Sequence, residues 1–182
     1  RVDSKDNVYI TGFTEGGLEG NKNIGKQDIF LSKFNSSGFK LWTKQFGTPL
    51  YDSANGLALD SSDNIYLTGY TQGNLYNYVG GKDVFVVKYD SSGTKQWTRQ
   101  FGAPSFSQKS QYNSSSQMVS SEDEGKKVSI DSTGNIYLTG NTQGGLDGNS
   151  NSGKEDIFLI KYKSMWCHWI NKILKYKVKF EF

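Results

Sequence analysis

Two stretches have the residue types and spacing to hold a phosphate. Gly20-Asn-Lys-Asn-Ile-Gly25-Lys26 and Gly148-Asn-Ser-Asn-Ser-Gly153-Lys154 each carry two glycines and a following lysine. A phosphate-binding loop also needs Ser or Thr after that lysine to hold magnesium, and a helix beginning there. Gln27 and Glu155 stand instead, Asp28-Ile-Phe-Leu has the pattern of a strand, and the corresponding middle stretch has Tyr76 in place of the first glycine. A nucleotide site is excluded.

The Asp-x-x-Asp/Gly-Asn turns at Asp3, Asp60 and Asp131 invite a calcium reading, as does Gly144-Gly-Leu-Asp-Gly-Asn149. An EF-type loop needs a carboxylate eleven residues after its first aspartate, and that position after Asp60 is Thr71. Asp and Asn in such turns bond their own backbone, which is the simpler account. His168 is the only histidine and stands beside Cys167. Neighbours on a helix point about 100° apart, so the two make no nucleophile pair, and a serine triad lacks its base. No pair of carboxylates stands out as glycosidase machinery. Asp28, Asp83 and Asp156 each precede an apolar run, where a carboxylate is expected to accept bonds from N–H groups of the adjoining loop. A ring of carboxylates lining a site is the alternative. No cofactor or metal is expected.

The elements that must position these residues follow from composition. The 182 residues include 21 Gly and 2 Pro, with 14% aromatic and 35% hydrophobic residues. Abundant glycine with aromatic and β-branched residues, in apolar runs of about six, suits short strands and tight turns. The net charge of +3 comes from the end of the chain, because Lys163, Lys172, Lys175, Lys177 and Lys179 face only Glu181 there. The rest is nearly neutral, with no electrostatic footprint for nucleic acid. One cysteine permits no internal disulfide.

Asp60-Ser-Ser-Asp-Asn-Ile-Tyr-Leu-Thr-Gly-Tyr70 recurs as Asp3–Phe13 and Asp131–Asn141. Gly12, Gly69 and Gly140 are 57 and 71 residues apart, and Asp28, Asp83 and Asp156 are 55 and 73 apart. Trp42 and Trp97 are 55 apart. In the most complete unit four segments are joined by Asp/Ser/Gly/Asn turns: 54–60, 65–71, 83–89 and 95–101. None has an apolar stripe at helical spacing. Four antiparallel strands repeated at about this interval describe a propeller blade, with the small-residue first strand innermost. Trp97 and Phe101 would fill the wider gap between outer strands.

The chain divides into a partial blade at 1–47, a blade at 48–102, a Ser-rich and acidic inserted loop at 103–125, a partial blade at 126–162 and a divergent basic tail at 163–182. The insertion is expected to be flexible. In the tail Trp166, Trp169, Ile170, Ile173 and Leu174 have the spacing of an amphipathic helix. It would be the one route to membrane contact, or else an out-of-frame end replacing the last strand. About ten strands, or two and a half blades, are expected, so the chain reads as a fragment of a longer array that needs further blades or self-association to close.

The strings Val-Asp-Ser-x-x-Asn-(Val/Ile)-Tyr-(Ile/Leu)-Thr-Gly, Gly-x-x-Asp-(Ile/Val)-Phe, Lys-(Phe/Tyr)-(Asn/Asp)-Ser-Ser-Gly and Trp-Thr-(Lys/Arg)-Gln-Phe-Gly recur in order over residues 2–102 and 126–162. They resemble the bacterial SBBP repeats, named for a seven-bladed β-propeller; the Asp-Ser-x-x-Asn-Ile-Tyr portion alone is similar to the NHL-type propeller repeat. The resemblance implies an all-β propeller of four-stranded antiparallel blades in a bacterial surface or secreted protein. It supplies no catalytic residues.

The expectation is a non-catalytic scaffold for binding or protein interaction. Contact is placed on the variable loops 15–27, 72–82 and 143–155, at Asn21, Asn23, Asn74, Tyr76, Tyr78, Asn149 and Asn151, facing protein or carbohydrate. Two alternatives stand beside it: a fragment of a secreted propeller hydrolase or lyase acting on carbohydrate, and a truncated reading frame without independent function.

Overall fold

A computed structural model describes residues 1–104, 106–109, 116–146, 150–151, 154–163 and 174–176. All regular structure among them is strand apart from turns. The strands are β1 (Val8–Thr14), β2 (Asp28–Phe34), β3 (Lys40–Phe46), β4 (Asp52–Leu59), β5 (Ile65–Thr71), β6 (Asp83–Tyr89), β7 (Lys95–Phe101), β8 (Phe106–Lys109), β9 (Ser116–Val119), β10 (Asp123–Ile130), β11 (Ile136–Thr142), β12 (Asp156–Tyr162) and β13 (Leu174–Tyr176). Three antiparallel sheets form the blades, β1-β2-β3, β4-β5-β6-β7 and β10-β11-β12-β13, here blades I, II and III. The chain is all-β, with the strand order of propeller blades.

Strand pairing explains the Thr-Gly of the repeated string. Thr68 Oγ1 donates to Phe85 O at 2.8 Å, and Thr11 Oγ1 to Phe30 O at 2.6 Å. Gly69 faces Ala54 across a register shift between Ala54 and Gly56, and a Cβ on it would run into Ser53 O. The same shift recurs between Gly125 and Lys127. It leaves Asn55 unpaired on the inner strand of blade II, and its Nδ2 reaches blade III at Glu124 Oε1 (2.9 Å) and Gly125 O (3.0 Å).

The core lies between blades. Tyr9, Ile29 and Leu31 of blade I meet Ile65, Leu67, Phe85, Val87 and Tyr89 of blade II, with Trp42 and Phe46 packed against them. One repeat later, Tyr66, Val84 and Val86 of blade II meet Ile136, Leu138, Phe158 and Ile160 of blade III, with Trp97 and Phe101 beside them. Burial of each such side chain is worth about 1.5–3 kcal/mol. Trp42 stands edge-on to Tyr9 and Trp97 to Tyr66, both at 6.1 Å, so each tryptophan closes the outer side of its own sheet.

Three expectations differ from this structure. The 103–125 stretch is not a simple loop: β8 and β9 form a hairpin, and Asp123–Gly125 already belong to the inner strand of blade III. Its acidic residues looked like solvated loop, yet Asp123 is fully buried because it opens a strand as Asp52 does. Blade III has a fourth strand, the short β13, paired to β12 as Leu159↔Tyr176 through Lys161↔Leu174. Leu174 is therefore extended rather than the end of a helix; residues 164–173, with His168 and Cys167, lie outside the described residues.

Candidate functional site

The turn aspartates are spent on their own turns. Asp60 Oδ1 accepts from Ser62 N (2.9 Å) and Asn64 N (3.0 Å), and its Oδ2 from Asn64 Nδ2 (2.9 Å) and Tyr66 Oη (3.0 Å). Asp3 and Asp131 repeat the set with Asn7 and Tyr9, and with Asn135 and Tyr137. Lys33, Lys88 and Lys161 place their ammonium groups 4.9, 5.1 and 4.9 Å over the rings of Tyr9, Tyr66 and Tyr137. Burial pushes the Asp60 carboxyl up, but bonds from Asn64, Ser62 and Tyr66 outweigh it and hold the group below its ordinary value.

The third-strand aspartates hold the loops before them. Asp83 accepts from Val79 N at 2.7 Å and Gly80 N at 3.3 Å, and Asp28 from Ile24 N at 2.7 Å and Gly25 N at 3.2 Å. Asp156, half-buried, opens β12 in the same register. In blades I and II a glutamine from the outer strand completes the clamp. Gln100 Nε2 donates to Asp83 Oδ2 and Gly73 O, both at 2.8 Å, while its Oε1 accepts from Leu75 N (2.8 Å) and Tyr76 N (3.0 Å). Gln45 does likewise with Asp28 Oδ2 (3.0 Å), Gly16 O (3.2 Å) and Leu18 N (2.9 Å).

The two clamps hold loops 15–27 and 72–82 at equivalent positions of blades I and II; loop 143–155 joins the corresponding strands β11 and β12 of blade III. On the middle loop Asn74, Tyr76 and Tyr78 are exposed, Tyr76 by 58%. Arg99 lies between two rings, 5.4 Å from the Tyr76 centroid and 5.6 Å from that of Trp97. Tyr78 Oη accepts from Gly81 N at 3.1 Å, so its ring is tethered where it stands. The first loop differs. Asn21 Nδ2 bonds Leu18 O and Thr43 O, and Asn23 Nδ2 bonds Glu15 O and Gly25 O, so both amides serve the loop itself. Asn151 is half-buried, and Asn149 lies outside the described residues. Lys26, the would-be phosphate lysine, sits over the Tyr51 ring at 4.8 Å.

Asp52 and Asp123 carry a role not assigned from the sequence. Each opens an inner strand, fully buried, where a blade meets the one before. Asp52 Oδ2 accepts from Thr48 N (2.5 Å) and Thr48 Oγ1 (2.8 Å), and Asp123 Oδ2 from Ala103 N (2.6 Å) and Ser121 Oγ (3.1 Å). The other oxygen of each has no hydrogen-bond partner. Desolvation raises both carboxyls above their ordinary value, and Asp28 and Asp83 of the preceding blades raise them further. One signal was available: Asp52 precedes Gly69 by the same 17 residues that separate Asp123 from Gly140. The clamp glutamines were visible in the Trp-Thr-(Lys/Arg)-Gln string without a stated task.

No curated protein matches the chain. The model of the beta-propeller repeat SBBP matches residues 41–77 and 96–147. Both matches begin in an outer strand, cross to the next blade through its two inner strands and extend into that blade's rim loop. The matched unit thus spans a junction between blades, where the core and the buried aspartates lie. This chain carries SBBP beta-propeller repeats.

Proposed function

We propose that the chain is a non-catalytic propeller scaffold that binds through the rim carrying loops 15–27, 72–82 and 143–155, with carbohydrate as the ligand class. The carrying observation is the Tyr76–Arg99–Trp97 column beside the clamped loop. Exposed aromatic faces stack on the apolar faces of sugar rings, and a guanidinium with nearby amide groups supplies fixed hydrogen-bond partners for hydroxyls. The loop is already ordered by Gln100, Thr71 and Asp83, so little entropy is lost on binding. We assign this role to the bacterial surface or the secreted fraction, following the family resemblance.

A hydrolytic reading has less support. The carboxylates that approach one another, Asp28 with Asp52 and Asp83 with Asp123, are fully buried and occupied by backbone donors. A glycan array probed with the chain and with its Tyr76→Ala and Tyr78→Ala variants tests the proposal. Binding that falls at least tenfold in the Tyr76 variant is expected. No glycan bound, or binding indifferent to both substitutions, overturns it.

A further inference from the structure

The three rim loops join equivalent strands but differ in charge. Loop 15–27 carries Glu15 and Glu19, and loop 143–155 carries Asp147 and Glu155. Loop 72–82 has no acidic residue. Asp83, which follows it, is fully buried and spent on Val79 N, Gly80 N and Gln100 Nε2. Glu122, bridged to Lys82 at the end of the loop, pairs with the Lys82 ammonium at 3.3 Å.

The acid-free loop is also the one that meets an arginine. Arg99 is exposed, and its Nη1 donates to Thr98 O at 2.9 Å. Among the described residues its guanidinium has no carboxylate partner, whereas Lys33, Lys40, Lys82, Lys88 and Lys126 each have one. The equivalent residue of blade I is Lys44, 6.0 Å over Trp42, with its stem so near Gly93 of blade II that a Cβ there would stand 3.2 Å from Lys44 Cε. Where blade II sets Tyr76 against Arg99, blade I has Asn21, whose amide bonds Leu18 O and Thr43 O. The column departs from the repeat.

An arginine laid on aromatic rings keeps the edge of its plane for hydrogen bonding, and that fork matches both oxygens of a carboxylate. The rings also displace water from its faces, so such a pair is worth more than one between free surface charges. Tyr76 stays 58% exposed with Arg99 against it, which leaves surface for a sugar ring. Asn74 and Asn77, both exposed on the same loop, offer amides to hydroxyls.

Resting on the carbohydrate reading above, we propose that this site takes a glycan whose sugars bear carboxylates, a uronic-acid oligomer. Arg99 holds the carboxylate and Tyr76 the ring that carries it. A uronate carboxylate is joined directly to its ring, so its place is fixed once the ring stacks. A sulfate ester hangs on further rotatable bonds and loses more freedom on binding.

The test is calorimetric titration of the full chain with oligomers of galacturonate, mannuronate and glucuronate, each beside its methyl ester, and with a sulfated neutral glycan. The ester keeps ring and linkage and removes the charge. At least one acid is expected to bind, its ester about tenfold or more weaker and the sulfated glycan weaker too. Arg99→Gln is expected to bring acid and ester to equal affinity. Arg99→Lys is expected to lose about tenfold, because a point charge does not replace the fork. Lys44→Gln removes a like charge from the equivalent place in blade I and is expected to change nothing; matched thermal midpoints show that the variants fold. Acid and ester bound alike, or a loss as large with Lys44→Gln as with Arg99→Gln, overturns the acidic ligand and leaves the carbohydrate site standing. A sulfated glycan bound as tightly as the acid overturns the carboxylate assignment. No glycan of any kind bound overturns both readings.

Discussion

Asp28 and Asp52, from different blades, close on the same point above Gly47: a Cβ there would stand 2.6 Å from Asp28 Oδ1 and 2.9 Å from Asp52 Oδ2. The residue must be glycine because two carboxylates occupy the space of any side chain. Gly47→Ala is expected to lower stability by about 2–4 kcal/mol, since neither carboxylate can move without losing its backbone donors. Gly16→Ala, where nothing lies within 4 Å, is the matched control and should shift the urea midpoint little. Equal midpoints for the two variants would show that the site has room.

The buried carboxyl of Asp52 makes part of the stability pH-dependent. Its pKa is raised in the fold, by burial first and also by the charge of Asp28, against the bonds from Thr48. A raised carboxyl binds its proton more tightly in the folded state, so its contribution is full below the ordinary carboxylate range and is lost as pH rises through the raised value. Asp52→Asn keeps an acceptor for Thr48 and stays neutral throughout. Its urea midpoint should gain on that of the wild type between pH 4 and pH 8. A gain in the opposite direction refutes the assignment.

The turn carboxylate Asp60 has the opposite sign. Held below its ordinary value, it contributes stability that is present above that value and is lost as pH falls toward the folded one. Tyr66→Phe removes the donor at 3.0 Å, for a loss of about 1–2 kcal/mol at neutral pH. Asp60→Asn should flatten the acid limb of the stability profile, as followed by tyrosine fluorescence. An unchanged acid limb would place the acid sensitivity elsewhere.

Gln100→Glu offers a test of the loop clamp. It replaces the Nε2 donor to Asp83 Oδ2 with a carboxylate oxygen, setting like charges at hydrogen-bond distance within a buried site. Amide exchange at Leu75 and Tyr76 should accelerate at least tenfold, while amides of β5 and β6 keep their protection. If Leu75 and Tyr76 exchange as in the wild type, the clamp is not what orders the loop.

Much of the blade was legible because strand and turn chemistry are local. The spacing of Gly12, Gly69 and Gly140 marks the second strand, and the run after Asp83 marks the third. What escaped depends on chain segments that meet only in the fold. Asp52 and Asp123 lie in unlike contexts, Pro-Leu-Tyr-Asp and Ser-Glu-Asp-Glu, and acquire a common role only because each opens an inner strand against the preceding blade. Asn21 and Asn23 looked like ligand amides, since side-chain composition does not reveal that Leu18 O and Gly25 O lie within reach. The Tyr76–Arg99–Trp97 column joins residues more than twenty positions apart, which no local pattern displays.

Because the two junctions bury like residues at like positions, loss of one repeat would leave a junction of the same apolar kind. Recombination between the coding stretches for the similar strings around Asp3, Asp60 and Asp131 can add or delete a whole unit. An insertion of one residue inside β5 has the reverse effect, turning Ile65 and Leu67 to the side of Tyr66 and spoiling two junctions at once. Such a gene tolerates drift in copy number far better than drift in frame or length within a unit.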